Sequence, residues 1–280
     1  MRRIHDNLTR AIADTIDEFH GQSTIVHTDK WQGVEIKSKP EMATHELLNH
    51  TISAWINSED RSMIAHEVQP NLPWVDDHFR ERVGGEPLNP GETWKNWPWS
   101  LHADKFRLVT QREGQAQFNH TYMERYWPRF AGMTPDGVLY DDPQTIPALD
   151  ARRGIRLEYG DLDDIVTLLH RDPYTRQAWI PIFFPEDTGY GDGGRKPCSL
   201  GYQFILREGR LHVYYPLRSC DLVRHFRDDI YLTILLLLWV IDQLRTKDNT
   251  WNDITPGTIT MHMTSLHCFR NDWYKLYGDA

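Results

Sequence analysis

The run from Pro197 to Asp229 limits the fold more tightly than any other part of this 280-residue chain. Two strand-like runs, Tyr202 to Arg207 and Leu211 to Leu217, flank Glu208-Gly209, the pattern of two antiparallel strands joined by a tight hairpin. Cys198 sits on a Pro-Cys turn just before the first strand, and the second ends at Arg218-Ser219-Cys220-Asp221. Folding the hairpin back therefore brings Cys198 near Arg218. An ordinary thiol, with a pKa near about 8.5, is only a small fraction thiolate at neutral pH, and a neighbouring guanidinium raises that fraction. The alternative for the same residues is a buried structural cysteine beside a surface arginine.

Next comes Ile230 to Ile241, apolar almost without a break. It is too short to span a bilayer, so it is expected to be a helix buried on all sides or lying at a subunit interface. A net charge of −9 argues against a general nucleic-acid-binding surface, while leaving room for a local basic pocket. Three cysteines give no disulfide framework and suit a reducing cytoplasm. Arg2, Arg3, Asp6 and Asp14 make the first twenty residues unlike a secretory signal. No metal signature has workable spacing: His45 with His50 and His262 with His267 are each off the i, i+4 interval that sets two ligands on one helix face.

Taken in order, Ile4 to Phe19 has helical spacing, and Ser23 to His27 and Gly33 to Lys37 are candidate strands. Glu41 to Asn57 is expected to be helical, with Ala43, Leu47, Leu48, Ile52 and Trp55 in the apolar register. Gln69 to Trp99, dense in Pro, Gly and Trp, is expected to be a long loop whose tryptophans either wall a pocket for a flat ligand or cover the core. Asp136 to Asp150 has the turn-rich composition of an insertion. Leu162 to Arg171 is a short helix ended by Asp172-Pro173, and Ala178 to Phe184 an apolar strand. Asp187 to Lys196 is Gly-rich but no phosphate-binding loop, because Lys196 is followed by proline. Ile259 to Met263 is a strand leading to His267-Cys268-Phe269.

Pro197-Cys198, Gln203-Phe204 and Arg218-Ser219-Cys220-Asp221 at this spacing resemble the active-site segment of the thymidylate synthase family. Within that family the chain is most similar to the (deoxy)cytidylate 5-hydroxymethyltransferases of bacteriophages and nucleoside-antibiotic pathways. The likeness is strongest from Leu162 to Asp229 and weak before Tyr122. It implies an α/β fold of the α+β type, a single catalytic domain over residues 1–280. The large mixed or antiparallel sheet would be covered by helices on one face and would form a homodimer through the other. It also implies a cytoplasmic enzyme, in the host cytoplasm if phage-encoded. Its substrates would be 5,10-methylenetetrahydrofolate and a pyrimidine nucleoside monophosphate, with no nucleic-acid or membrane partner.

By the same resemblance, Cys198 adds to C6 of the pyrimidine, making C5 able to take the one-carbon unit. Glu46, in His45-Glu46-Leu47-Leu48, matches a catalytic glutamate on a helical segment that arranges proton transfers through water. As a bare pattern those four residues would be a solvated helix face. Tyr122 matches a tyrosine serving proton removal, although Met123 replaces the usual glycine. Arg218, Ser219 and Arg176 would hold the phosphate, Arg176 by crossing to the partner subunit, where Gln177 replaces a second arginine. Gln203 belongs to the nucleotide site. His267 would hold the sugar, though Phe269 lacks the usual phenol, and Asp221 would contact the pterin.

Two departures bear on the reaction. Eleven residues after Arg218, where synthases have an asparagine that reads uracil, stands Asp229. An ionised carboxylate accepts from a cytosine 4-amino group but cannot donate to uracil O4, so cytosine is favoured. The alternative is that Asp228 or Asp229 caps the helix beginning at Ile230. The apolar tail with which synthases exclude water is replaced by Arg270 to Ala280, ending Gly278-Asp279-Ala280, which favours hydration to a hydroxymethyl group. Ser199 also replaces a frequent histidine. The competing expectations are a divergent synthase converting deoxyuridylate to thymidylate, a deoxyuridylate hydroxymethylase, and a nucleotide-binding homologue without catalysis.

Overall fold

The computed structural model describes residues 4–31, 34–99, 110–112, 115–118, 120–128, 160–188 and 196–277. The expected insertion at 136–150 lies outside them, as do 189–195 of the Gly-rich run. The fold is α/β, organised on a seven-stranded mixed sheet. Its strands are β1 (Thr24–Val26), β4 (Thr44–Trp55), β11 (Thr255–Phe269), β9 (Arg210–Leu217), β8 (Gly201–Arg207) and β7 (Trp179–Pro181), in that spatial order. The short β10 (Cys220–Asp221) also pairs with β11. Neighbours run antiparallel except β11, which is parallel to β9 and β10. Two small ribbons, β2 (Lys30–Trp31) with β3 (Val34–Glu35) and β5 (Thr110–Arg112) with β6 (Gln115–Gln117), stand apart from it.

The hairpin forms as its sequence requires. Glu208 and Gly209 take φ of 51° and 72°, and two left-handed residues are what a two-residue turn needs to match strand twist. β8 and β9 then alternate buried and half-buried residues, one face of the pair turned to the core. That core is built on one long helix. The described helices are α1 (Leu8–Gln22), α2 (Arg61–Val68), α3 (Trp74–Arg82), α4 (Tyr122–Tyr126), α5 (Leu162–Arg171), α6 (Pro185–Thr188), α7 (Phe226–Lys247) and α8 (Tyr274–Tyr277). α7 lies on β9 and β11, with α2, α3 and α5 packed around it, so its apolar run is buried between sheet and helices.

Three expectations change. Residues 44–55 are a strand, not a helix, and Leu48 of the presumed apolar stripe is 62% exposed. The deciding signal is the period-two set His50, Ile52, Ala54 and Ile56, all buried, on a segment paired on both edges, with β1 and β11. Tertiary pairing outweighed local helical spacing. The presumed loop at 69–99 contains α3 and a 3-10 turn, Thr93–Asn96, and α2 precedes it. Here Trp74 Nε1 donates to the Thr93 carbonyl, fixing the tryptophan on α3 against that turn. The buried helix begins at Phe226 rather than Ile230, so Asp228 and Asp229 lie in its first turn and neither is its N-cap.

Because α7 is the centre of the packing, a cavity there is expected to be costly. Leu235 is fully buried. Leu235→Ala should lower unfolding stability by about 2–5 kcal/mol, measured by urea denaturation, whereas the exposed Leu48→Ala should change it by less than about 0.5 kcal/mol.

Candidate functional site

The Pro197-Cys198 turn is fastened to the end of β9 from both sides. Ser199 bridges Leu217, Leu200 N–H donates to the Pro216 carbonyl at 2.9 Å, and Arg218 N–H donates to the Cys198 carbonyl at 2.9 Å. The Arg218 side chain closes the clamp: Nε donates to the Pro197 carbonyl at 2.8 Å and Nη2 to that of Lys196 at 3.0 Å. The half-buried thiol of Cys198 thus sits on a turn held against an exposed guanidinium.

Beside it, the register aligns three more of the expected residues. Glu46 on β4 pairs with His267 on β11, and His267 pairs with Asp221 on β10, so all three share one rung of the sheet. Ser265 Oγ donates to Glu46 Oε1, and Ser219 Oγ lies 3.3 Å from His267 Nδ1. Asp221 is buried, and its Oδ1 accepts from the backbone N–H groups of Val223 (3.0 Å) and Arg224 (2.9 Å). Burial raises its pKa despite His267 and Arg224 nearby. Arg224 in turn pairs with Asp272 at 2.6 Å and lines a cleft of about 790 Å³ with Pro40, Arg270, Tyr274 and Lys275.

Gln203 and Arg176 lie elsewhere. Gln203 Nε2 donates to the Arg176 carbonyl at 2.9 Å, and Arg176 is exposed. Through Tyr214, Gln203 shares a rung with Thr260, seven residues from His267 along β11, roughly 23 Å at about 3.3 Å per residue. Within one chain these two are not brought to Glu46.

Under the thiol turn the expected Tyr122 meets a group of polar side chains, two of which the sequence did not reveal. Ser199, fully buried, shares hydrogen bonds with the Tyr122 hydroxyl at 2.6 Å and with the Tyr215 hydroxyl. Arg82, 4% exposed, stacks its guanidinium on the Tyr122 ring, 3.9 Å from the centroid. Tyr202 stacks flat on Tyr215 at 4.4 Å. Tyr215 had shown itself only as an apolar beat in the hairpin, and Arg82 not at all.

No protein-family model matches the chain. A Methanosarcina barkeri protein named "Putative thymidylate synthase" is 31% identical over 116 residues, 40% of this chain and 47% of that protein. A Methanococcoides burtonii protein of the same name is 25% identical over 164 residues, 57% of this chain and 66% of that protein. A Rhizorhabdus wittichii protein named "Thymidylate synthase" is 27% identical over 188 residues, 64% and 55% respectively. The chain is similar to thymidylate synthases. It spans about half to two thirds of the length of these curated relatives, and at low identity they support a place in the thymidylate synthase family.

At the position where the resemblance to thymidylate synthases expects a base-reading residue, Asp229 is half-buried and accepts a long contact from Cys220 Sγ at 3.7 Å. Its neighbour Asp228 is engaged instead with Asn71, from N at 2.8 Å and Nδ2 at 2.9 Å. Loss of solvent, opposed by Arg82 and helped by Asp228, pushes the Asp229 carboxyl up to about 7.

An acid whose pKa is higher folded than unfolded keeps its proton longer in the folded state. Between about pH 4 and 7 the folded protein therefore binds more protons at Asp229, and that residue's contribution to stability falls as pH rises through the window. Asp229→Asn removes the effect. Denaturant unfolding at pH 4.5 and pH 8 should find the variant gaining on wild type by more than about 1 kcal/mol between the two, and an equal difference at both pH values would contradict it.

Proposed function

We propose that this protein is a pyrimidine nucleotide C5 hydroxymethyltransferase. It moves a one-carbon unit from 5,10-methylenetetrahydrofolate to a cytosine nucleoside monophosphate and leaves it as a hydroxymethyl group. The observation that carries the reading is the clamp of Arg218 on the Pro197-Cys198 turn, which holds the backbone that carries the half-buried thiol. The thiolate of Cys198 is the form that adds to a pyrimidine C6.

The residues present fit a folate. On the cleft, Arg270, together with Arg224 and Lys275 that share Asp272, offers cations to its carboxylates, Glu41 being the other acid there, and Asp221 anchors the turn that ends in Arg224. When bound, the folate supplies a carbon at the oxidation level of formaldehyde. Cys198 attacks C6, Glu46 steadies the protons of the base ring through water, and Tyr122 takes part in removing the C5 proton. Arg218 turns its exposed side to the phosphate, and Ser219 with His267 lies toward the sugar. Arg176 and Gln203, distant from Glu46 in one chain, belong to the nucleotide site if two chains pair through the open face of the sheet, so the protein acts as a homodimer.

Asp229 selects the base. Ionised, it accepts from the cytosine 4-amino group and meets uracil O4 lone pair to lone pair. A second reading, synthesis of thymidylate from deoxyuridylate, is favoured by the names of the relatives. Product analysis with labelled folate and each of CMP, dCMP, UMP and dUMP separates them: hydroxymethyl product with tetrahydrofolate, against methyl product with dihydrofolate. Asp229→Asn should lower the cytosine-to-uracil ratio of kcat/KM by about ten- to a hundredfold, the effect of one lost or mismatched buried hydrogen bond of about 1–3 kcal/mol. An unchanged ratio would remove Asp229 from base selection.

A further inference from the structure

Arg82 carries a full charge into the interior with little to balance it. It is 4% exposed, and its Nε and Nη1 meet no hydrogen-bond acceptor among the described residues. Around it stand the phenols of Tyr122, Tyr126, Tyr202 and Tyr215. Asp229 and Asp228 lie within its field, but among the described residues no carboxylate forms an ion pair with it, and a buried cation so placed points to a site where negative charge must develop. The Tyr122 hydroxyl is the group best placed to carry that charge. Its ring lies on the guanidinium at 3.9 Å, and its oxygen is 2.6 Å from Ser199 Oγ, one residue from the thiol. Ser199 is held from its other side by Tyr215, whose ring is fixed by the flat stack on Tyr202.

We propose that Arg82, Ser199 and Tyr215 are positioning residues for Tyr122: the two hydroxyls aim its oxygen and the guanidinium sets a fixed positive charge against its ring. The role rests on the C5 transfer proposed above. In that step the electron pair of the C5–H bond becomes the double bond to the incoming carbon, and the folate nitrogen leaves with the old C–N pair. The proton passes by way of the Tyr122 oxygen to that nitrogen. Negative charge builds on the phenol oxygen as it passes, and Arg82 lies where it opposes that charge without touching substrate.

The groups facing Tyr122 are Arg82 from α3, Asp229 from α7, Cys198 and Ser199 from the thiol turn, Tyr202 and Tyr215 from β8 and β9, and Tyr126 from its own helix. Burial and the Asp229 charge raise the Tyr122 pKa, and Arg82 opposes them. Removing the cation therefore leaves the phenol harder to ionise.

The test is tritium release from C5-labelled nucleotide, with its pH profile. Ser199→Ala should slow release at saturating substrate about ten- to a hundredfold with KM within about twofold, and Tyr215→Phe about three- to tenfold. Arg82→Met should slow it at least about a hundredfold and move the half-maximal pH up by about one unit, and Arg82→Lys should recover at least about tenfold of that loss. If Arg82→Met does not fold, Ser199→Ala and Tyr215→Phe, which remove only hydroxyls, decide the matter. Wild-type release with unchanged rates and pH profiles in Ser199→Ala and Tyr215→Phe would overturn the positioning role and leave the reaction standing. Wild-type protein releasing no tritium from any pyrimidine nucleotide would overturn the reaction itself, and the role with it.

Discussion

The ladder along one edge of β11 is what the candidate site depends on. β9 occupies that edge up to Leu217, paired with Met263, and β10 resumes it at Cys220, paired with Leu266. In the gap between, Arg218 and Ser219 leave the ladder, with only Ser265 N–H reaching the Arg218 carbonyl at 3.2 Å. Their side chains are therefore available for other work. Arg218 turns back on the Pro197-Cys198 turn, and Ser219 reaches His267. On the opposite edge, β4 brings Glu46 to the same rung. The backbone register of three strands thus gathers residues separated by more than two hundred positions in sequence.

Beneath that rung the protein accepts polar groups a packed core would exclude. Arg82 from α3, Asp229 from α7 and the Tyr122–Ser199–Tyr215 chain meet in one buried cluster. An apolar replacement for these groups would favour stability. Their presence, linked through Ser199 to the residue beside the thiol, is the kind of local inconsistency that functional sites carry.

Much of this was legible in the chain, for physical reasons that differ by element. The hairpin was, because Glu208-Gly209 leaves few alternatives for the backbone, and α7 was, because eleven apolar residues in a run of twelve have no other place to go. The Cys198–Arg218 approach followed from the hairpin alone. Residues 44–55 were not legible as a strand, because their apolar residues satisfy helical spacing as well as alternation, and only pairing with β11 decides between them. Asp229 looked equally like a helix cap until Phe226 proved to open the helix. Arg82 left no sequence signal, since an arginine in what reads as a long loop is ordinarily a solvated residue.

The central claim is that Cys198 forms a covalent bond to the pyrimidine ring. Replacing the C5 hydrogen by fluorine stops the reaction after the thiol has added, since no proton can then be removed from C5. The protein would be incubated with 5,10-methylenetetrahydrofolate and the 5-fluoro derivatives of the cytosine and uracil nucleotides, digested, and analysed by mass spectrometry. The account predicts nucleotide and folate mass together on the peptide containing Cys198. Mass on another residue, or product formed from the natural nucleotide with no adduct trapped from either fluorinated one, would contradict it.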